Sequence, residues 1–234
     1  MTVRQHGRLY GIGVGPGDPE LLTLKGLRLL RAATVVAYPA PEQGDSFART
    51  IVAAWLDRAQ REIAIRFPMR PGVPSEHIYD NAARVIAAEL EAGDDVALLC
   101  QGDPLFYGSF SGILMRLAGR FAIEIVPGVS SLTACPAAAA MPLVTRDEVL
   151  SVIPATLAEP DLASCLAAAE AAAITKLGRH ITKVKRVLAE LGRLAGAVCV
   201  EHASLPDQRV RPLTEIDEAP YFSLVLVGKT RANR

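Results

Sequence analysis

The sequence predicts an α/β protein built from two α/β domains, the second carrying a mixed sheet. Short runs rich in Val, Ile and Leu alternate with amphipathic segments of helical length, the pattern of strands in a mostly parallel sheet with helices on both faces. Two of those runs stop at glycine-bearing turns, residues 98–110 (LLCQGDPLFYGSF) and 123–131 (IEIVPGVSS). Turns at the carboxyl ends of strands are where ligands bind in open α/β sheets. Near the C-terminus, two strand-like runs lie too close together for a helix between them.

Residues 8–14 alternate and end in a glycine-proline turn, so they read as the first strand. Asp18 followed by Pro19 predicts a helix start, the carboxylate capping and the proline fitting the first helical position. Leu21, Leu24, Leu27 and Leu30, with Leu22 and Leu29 beside them, supply its apolar face. Residues 34–38 form a second strand, Ser46 caps a helix reaching Leu56, and residues 62–66 form a third strand. A long amphipathic helix covers 75–91 and is closed by Gly93, and strands at 95–100 and 122–126 complete a first domain, residues 1–126. The second domain, 127–234, takes strands at 149–153, 171–175, 197–200, 209–213 and 222–227, with helices at 162–168 and 181–191. Only Asp217, Glu218, Ala219 and Pro220 connect the last two strands, so this end of the sheet is expected to be antiparallel.

With 234 residues, half of them apolar, the chain can bury a substantial core. Its 25 basic and 25 acidic side chains cancel, which argues against a general affinity for nucleic acid or anionic membranes. Cys100, Cys135, Cys165 and Cys199 are far apart, without a C-x-x-C pair, and read as buried thiols of a protein in a reducing cytoplasm. The N-terminus lacks the pattern of a signal peptide. The alanine-rich segments fall short of the roughly 20 apolar residues that span a membrane.

The glycine-rich stretch 11–18 (GIGVGPGD) misses the third glycine of a dinucleotide fingerprint and has no Gly-Lys-Ser/Thr for a P-loop, leaving a tight turn or a ligand contact as readings. Gly102-Asp103-Pro104 alone is an ordinary turn. Joined with Ser130 and Ser131 at a helix start, whose free N–H groups suit a carboxylate, it predicts a site for a small polar molecule. Thr175, Lys176, Arg179 and His180 follow one strand in the second domain, and Glu201, His202 and Ala203 follow another. His6, His77, His180 and His202 are scattered without ligand spacing, so no metal site is expected. A hydrolase elbow G-x-S-x-G is missing.

These turns, in this order, resemble the tetrapyrrole methylase family, S-adenosylmethionine-dependent enzymes of cobalamin and sirohaem synthesis. The resemblance covers nearly the whole chain and rests on GVGPGDPELLTLKGLRLL (13–30), CQGDPLFYGSF (100–110), VPGVSS (126–131) and KLGRH (176–180). FYGSF and KLGRH are most similar to the branch that methylates C20 of precorrin-2 to give precorrin-3A. The resemblance implies a homodimer and a cofactor cleft between two domains. It implies S-adenosylmethionine contacts at Pro16, Gln101, Gly102, Asp103, Phe106, Ser130, Ser131, Thr175, Lys176, Ala203, Ser223 and Leu224. Gln101 stands where that branch is expected to carry Glu, and Thr175 where the family often carries Met.

Methyl transfer from an activated sulfonium requires alignment of donor and acceptor above all. The acceptor carbon must also lose a proton, for which Tyr107, Glu201 and His202 are candidates by position. The many carboxylates of a precorrin call for cations, and Arg66, Arg70, Arg146 and Arg179 are nominated. The same residues suit a cobalt-bearing substrate, cobalt-factor II. An RNA methyltransferase of the same fold is disfavoured by the neutral charge balance, and a non-catalytic S-adenosylmethionine sensor is the rival from another class.

Overall fold

The computed structural model describes residues 6–68 and 76–228. Its contacts divide the chain into two compact units, residues 1–130 and 131–234.

The first unit runs β1 (Leu9–Gly13), α1 (Leu24–Ala32), β2 (Val35–Pro41), α2 (Phe47–Val52), β3 (Arg61–Phe67), α3 (Glu76–Ala92), β4 (Val96–Cys100), α4 (Phe110–Leu117) and β5 (Ile123–Val126). The five strands form a wholly parallel sheet in the order β3-β2-β4-β1-β5. Strand alternation divides its core in two. Val35, Val96 and Leu98 point to one side, against Ala82, Ile86 and Leu90 of α3 and Phe110, Ile113 and Leu117 of α4. Val36, Ala97 and Leu99 point to the other, against Leu29 and Leu30 of α1 and Ile51 and Val52 of α2. The α/β class, with helices on both faces, is as the sequence predicts.

Local details depart from the sequence reading. Asp18 does cap, its carboxylate accepting from the Glu20 N–H at 2.8 Å, but only a short 3-10 turn follows at Pro19–Leu21. The helix itself starts at Leu24, capped by Thr23, whose Oγ1 accepts from the Gly26 N–H at 3.0 Å. This later start turns Leu24 outward, leaving it 87% exposed, while Leu29 and Leu30 are buried. β2 also outlasts its expected end at Tyr38. Pro39 and Pro41 are tolerated because β2 has left β4 beyond Ala37 and pairs there with β3 alone, as an edge segment would.

The second unit contains α5 (Ser131–Ala138), β6 (Leu150–Pro154), α6 (Glu159–Ala168), β7 (Ala171–Thr175), α7 (Ile181–Glu190), β8 (Ala197–Glu201), β9 (Arg209–Pro212) and β10 (Ser223–Val227). Its sheet order is β6-β7-β10-β8-β9, with β6 and β7 parallel and the other pairs antiparallel. The mixed sheet agrees with expectation, but the last two strands do not pair with each other. β10 crosses over to enter between β7 and β8, where Leu224, Val225 and Leu226 are buried, and β9 is left at the edge. The apolar run of β10 fits a central strand, and the arginine-bearing β9 fits an edge. α6 and α7 cover one face through Leu162, Leu166, Val184 and Leu188, and α5 covers the other through Cys135. Cys165, expected to be buried with the other three cysteines, is exposed, because α6 turns Leu162 and Leu166 inward and Cys165 lies off that stripe.

Candidate cofactor and substrate site

The strand order of the first unit brings three chain reversals together. β1 lies between β4 and β5, so the turn after Gly13 separates two strand ends that the sequence predicts to be adjacent. The three turns are joined through main chain. Val14 N–H donates to Cys100 O at 2.9 Å, and Gly102 N–H donates to Gly15 O at 2.8 Å. Asp103 supplies the tie to the third turn: Oδ2 accepts from Gly128 N–H at 3.1 Å and Oδ1 from Leu105 N–H at 2.9 Å.

This closeness explains the glycines. A Cβ on Gly128 would lie 2.1 Å from Gly102 O, and one on Gly13 would lie 2.5 Å from Gly128 N. Gly102, at φ +66, also occupies the left-handed region. The result is a main-chain floor at the carboxyl ends of three neighbouring parallel strands. Gln101, Gly102, Asp103, Phe106 and Ser130 are half-buried around it and Pro16 is buried. Tyr107 is 53% exposed beside Phe106, their rings edge to face at 5.0 Å.

The candidates of the second unit share one edge of its sheet. β10 runs against β7 and β8, so its start, at Ser223, lies level with the ends of those strands: Ser223 is opposite Glu201, and Val225 is opposite Ile174. Thr175, Lys176, Glu201, His202, Ala203 and Ser223 therefore gather there. Thr175 Oγ1 is shut off from water and has no hydrogen-bond partner among the described residues. Such an atom fits a bound polar ligand. Ala203 and Leu224 are buried in the core. Ser131 opens α5.

Unusual backbone is concentrated on nominated residues. Tyr107 (φ 56), Arg146 (φ 49), Lys176 (φ 55) and His202 (φ 50) adopt the left-handed conformation without being glycine, as do Ala140 and Ser204, which were not nominated. Strain of this kind is stored at functional sites.

The proton-acceptor candidates differ in their commitments. Glu201 is buried, and its Oε1 accepts from Arg211 Nη2 at 2.6 Å. His202 Nδ1 lies 2.5 Å from Asp207 Oδ2, and its main-chain N–H donates to Phe222 O at 2.8 Å. Asp207 and Arg211 escaped the sequence reading, since nothing in their spacing marks them.

The nominated arginines come from both units of the chain. Arg66 is on the edge strand β3, two strands from β4, and its Nη1 donates to Pro41 O at 2.8 Å and to Glu42 O and Gly44 O at 3.4 Å. It holds the β2–α2 loop, which consumes part of the guanidinium expected to meet substrate. Arg146 and Arg179 are exposed in the second unit, and Arg70 lies outside the described residues. Burial, reinforced by the charges of Lys183 and Arg179, lowers the pKa of His180 below the usual imidazole range. Among the described residues no group of side chains could hold a metal ion, and no helix is long and apolar enough to cross a membrane.

Residues 8–219 match the family model described as Tetrapyrrole (Corrin/Porphyrin) Methylases. The chain belongs to the tetrapyrrole methylase family. It is 43% identical to a precorrin-2 C(20)-methyltransferase of Sinorhizobium sp over 94% of this chain and 95% of that protein. It is 33% identical to a cobalt-precorrin-2 C(20)-methyltransferase of Salmonella typhimurium over 96% and 97% of the two chains. Among solved structures, uroporphyrin-III C-methyl transferase from Thermus thermophilus complexed with S-adenyl homocysteine superposes with a TM-score of 0.72 at 27% identity, covering 95% of this chain and 97% of that one.

Proposed function

We propose that this tetrapyrrole methylase transfers a methyl group from S-adenosylmethionine to C20 of precorrin-2, giving precorrin-3A in cobalamin biosynthesis. The observation that carries the reading is the Asp103 tie between Gly102 and Gly128, which fixes a main-chain floor of the kind a charged nucleoside needs. The 43% identity to the Sinorhizobium enzyme supports the choice of substrate, and the lower identity to the cobalt-precorrin enzyme favours the metal-free form.

S-adenosylmethionine supplies a methyl group already activated by its sulfonium. Alignment is therefore the chain's main task, a contribution of about 7–11 kcal/mol when geometry is good. In this reading Pro16, Gln101, Gly102, Asp103, Phe106, Ser130, Ser131, Thr175, Lys176, Ala203, Ser223 and Leu224 are the residues that contact the donor. The orphaned Thr175 Oγ1 would gain a partner from the bound ligand. Arg66, Arg70, Arg146 and Arg179 are assigned to the carboxylates of the tetrapyrrole, with Arg66 acting through the Nη2 that its loop contacts leave over. The buried thiols of Cys100, Cys135 and Cys199 suit a reducing cytoplasm, and the homodimer implied by the family is part of the proposal.

The test is incubation with S-adenosylmethionine and precorrin-2, followed by mass measurement of both products. One methyl gained per tetrapyrrole and one S-adenosylhomocysteine formed per turnover support the reading. Binding of S-adenosylhomocysteine without any transfer would favour a sensor, and methylation of the cobalt form alone would reassign the substrate.

A further inference from the structure

We infer that His202 is the proton acceptor of the methylation and that Asp207 positions it. This rests on the methyltransferase reading above and names the residue that completes it.

Of the three groups nominated by position, only His202 has both a usable lone pair and an orienting partner. Glu201 is sequestered with Arg211. Tyr107 offers a phenol, which must lose its own proton before it can accept another. In His202 the Asp207 carboxylate can only accept, so Nδ1 carries the hydrogen of the 2.5 Å bond, and the lone pair of the neutral ring sits on Nε2. Among the described residues, no hydrogen bond involves Nε2. The ring is 28% exposed, sheltered yet reachable.

The backbone holds this arrangement. His202 follows β8 directly, its N–H is fixed to Phe222 O, and its φ of 50 is one that an imidazole-bearing residue takes at a cost. Asp207, five residues on, closes the loop back onto the ring. Thr175 and Ser223 lie at this same end of the sheet, so His202 follows β8 at the edge where the proposed donor contacts of this unit gather.

The electron-rich meso carbon C20 forms a bond to the methyl carbon as the methyl–sulfur bond breaks and its electron pair returns to sulfur. The C20–H bond then gives its electrons back to the macrocycle, and the proton goes to His202 Nε2. The imidazolium so formed is stabilised by Asp207.

The test uses the intact protein with S-adenosylmethionine and precorrin-2. His202→Gly suits the left-handed backbone and His202→Asn tolerates it, so both variants should fold. The expected result is a fall in kcat of about 10²-fold or more in each. Affinity for S-adenosylhomocysteine should be unchanged, and added imidazole should restore part of the rate to His202→Gly but not to the wild type. Asp207→Asn should lower kcat by about tenfold with the same unchanged affinity. If the wild type transfers methyl groups and His202→Gly keeps its kcat, or loses it without rescue by imidazole, the assignment is overturned. A wild type that transfers none fails the methyltransferase reading itself.

Discussion

Asp103 and Gly128 belong to turns on different strands, 25 residues apart, and are joined by a carboxylate accepting a main-chain N–H at 3.1 Å. The same carboxylate caps Leu105 within its own turn. One side chain thus sets both the shape of the Gly102 turn and its distance from the Gly128 turn. A sequence that merely needed a turn after β4 would have no use for the second bond.

Replacing Asp103 with Ala should therefore weaken S-adenosylhomocysteine binding while the fold persists. Hydrogen bonds to a charged group contribute about 1.5–3 kcal/mol, which sets an expected loss of about tenfold or more in affinity. Gly128→Ala should do at least as much, because its Cβ would sit 2.1 Å from Gly102 O and force the turns apart. Calorimetric titration of each variant, with circular dichroism as the check on folding, measures both.

Thiol reactivity follows from burial. Cys135 and Cys199 have their pKa values pushed up to about 12, and Cys100 is raised further, with desolvation the leading cause in all three. The thiolate is the reactive form. Iodoacetamide at pH 8 should modify only Cys165, the exposed cysteine, in the native protein and all four cysteines after unfolding. Native modification of more than one site, counted by intact mass, would show the core to be more open than described.

Acid stability should register the Glu62–Arg49 pair. Arg49 donates from Nε at 2.7 Å and from Nη2 at 2.9 Å, and this bonding, assisted by Tyr38, lowers the Glu62 pKa against the opposing effect of desolvation. Both side chains are about one-third exposed, so solvent limits the contribution to about 1 kcal/mol or less. A lowered folded-state pKa means that this contribution is complete above the unfolded carboxylate value near about 4.3. It is lost as pH falls through the lower folded value. Urea unfolding should find wild type more stable than Glu62→Gln at pH 7, with the two converging in strong acid.

The strands and the turns that end them were legible because their signals are local: an apolar run, then Gly102-Asp103-Pro104 or Pro127-Gly128. Sheet order was not. That β1 lies between β4 and β5, and that β10 enters between β7 and β8, depends on crossover geometry that alternation along one strand does not encode. Helix starts were legible only to within a turn, since Asp18 and Thr23 both offer caps and tertiary packing selects the second. At the site, Gly102, Asp103 and Ser130 could be singled out from the turns that end two apolar runs. The Asp207 partner of His202 could not, because a carboxylate five residues on in an irregular loop has no period to reveal it. Arg66 illustrates the converse, a cation nominated for the substrate whose Nη1 also reaches three loop carbonyls that its sequence context does not reveal.

Regiospecific methyl transfer is tested most directly by carbon NMR of the tetrapyrrole formed from S-adenosylmethionine labelled with carbon-13 in its methyl group. A single enriched methyl resonance, correlated with the C20 meso position of precorrin-3A, is expected. Label at any other ring carbon, or an unlabelled tetrapyrrole from protein that binds S-adenosylhomocysteine, would contradict it.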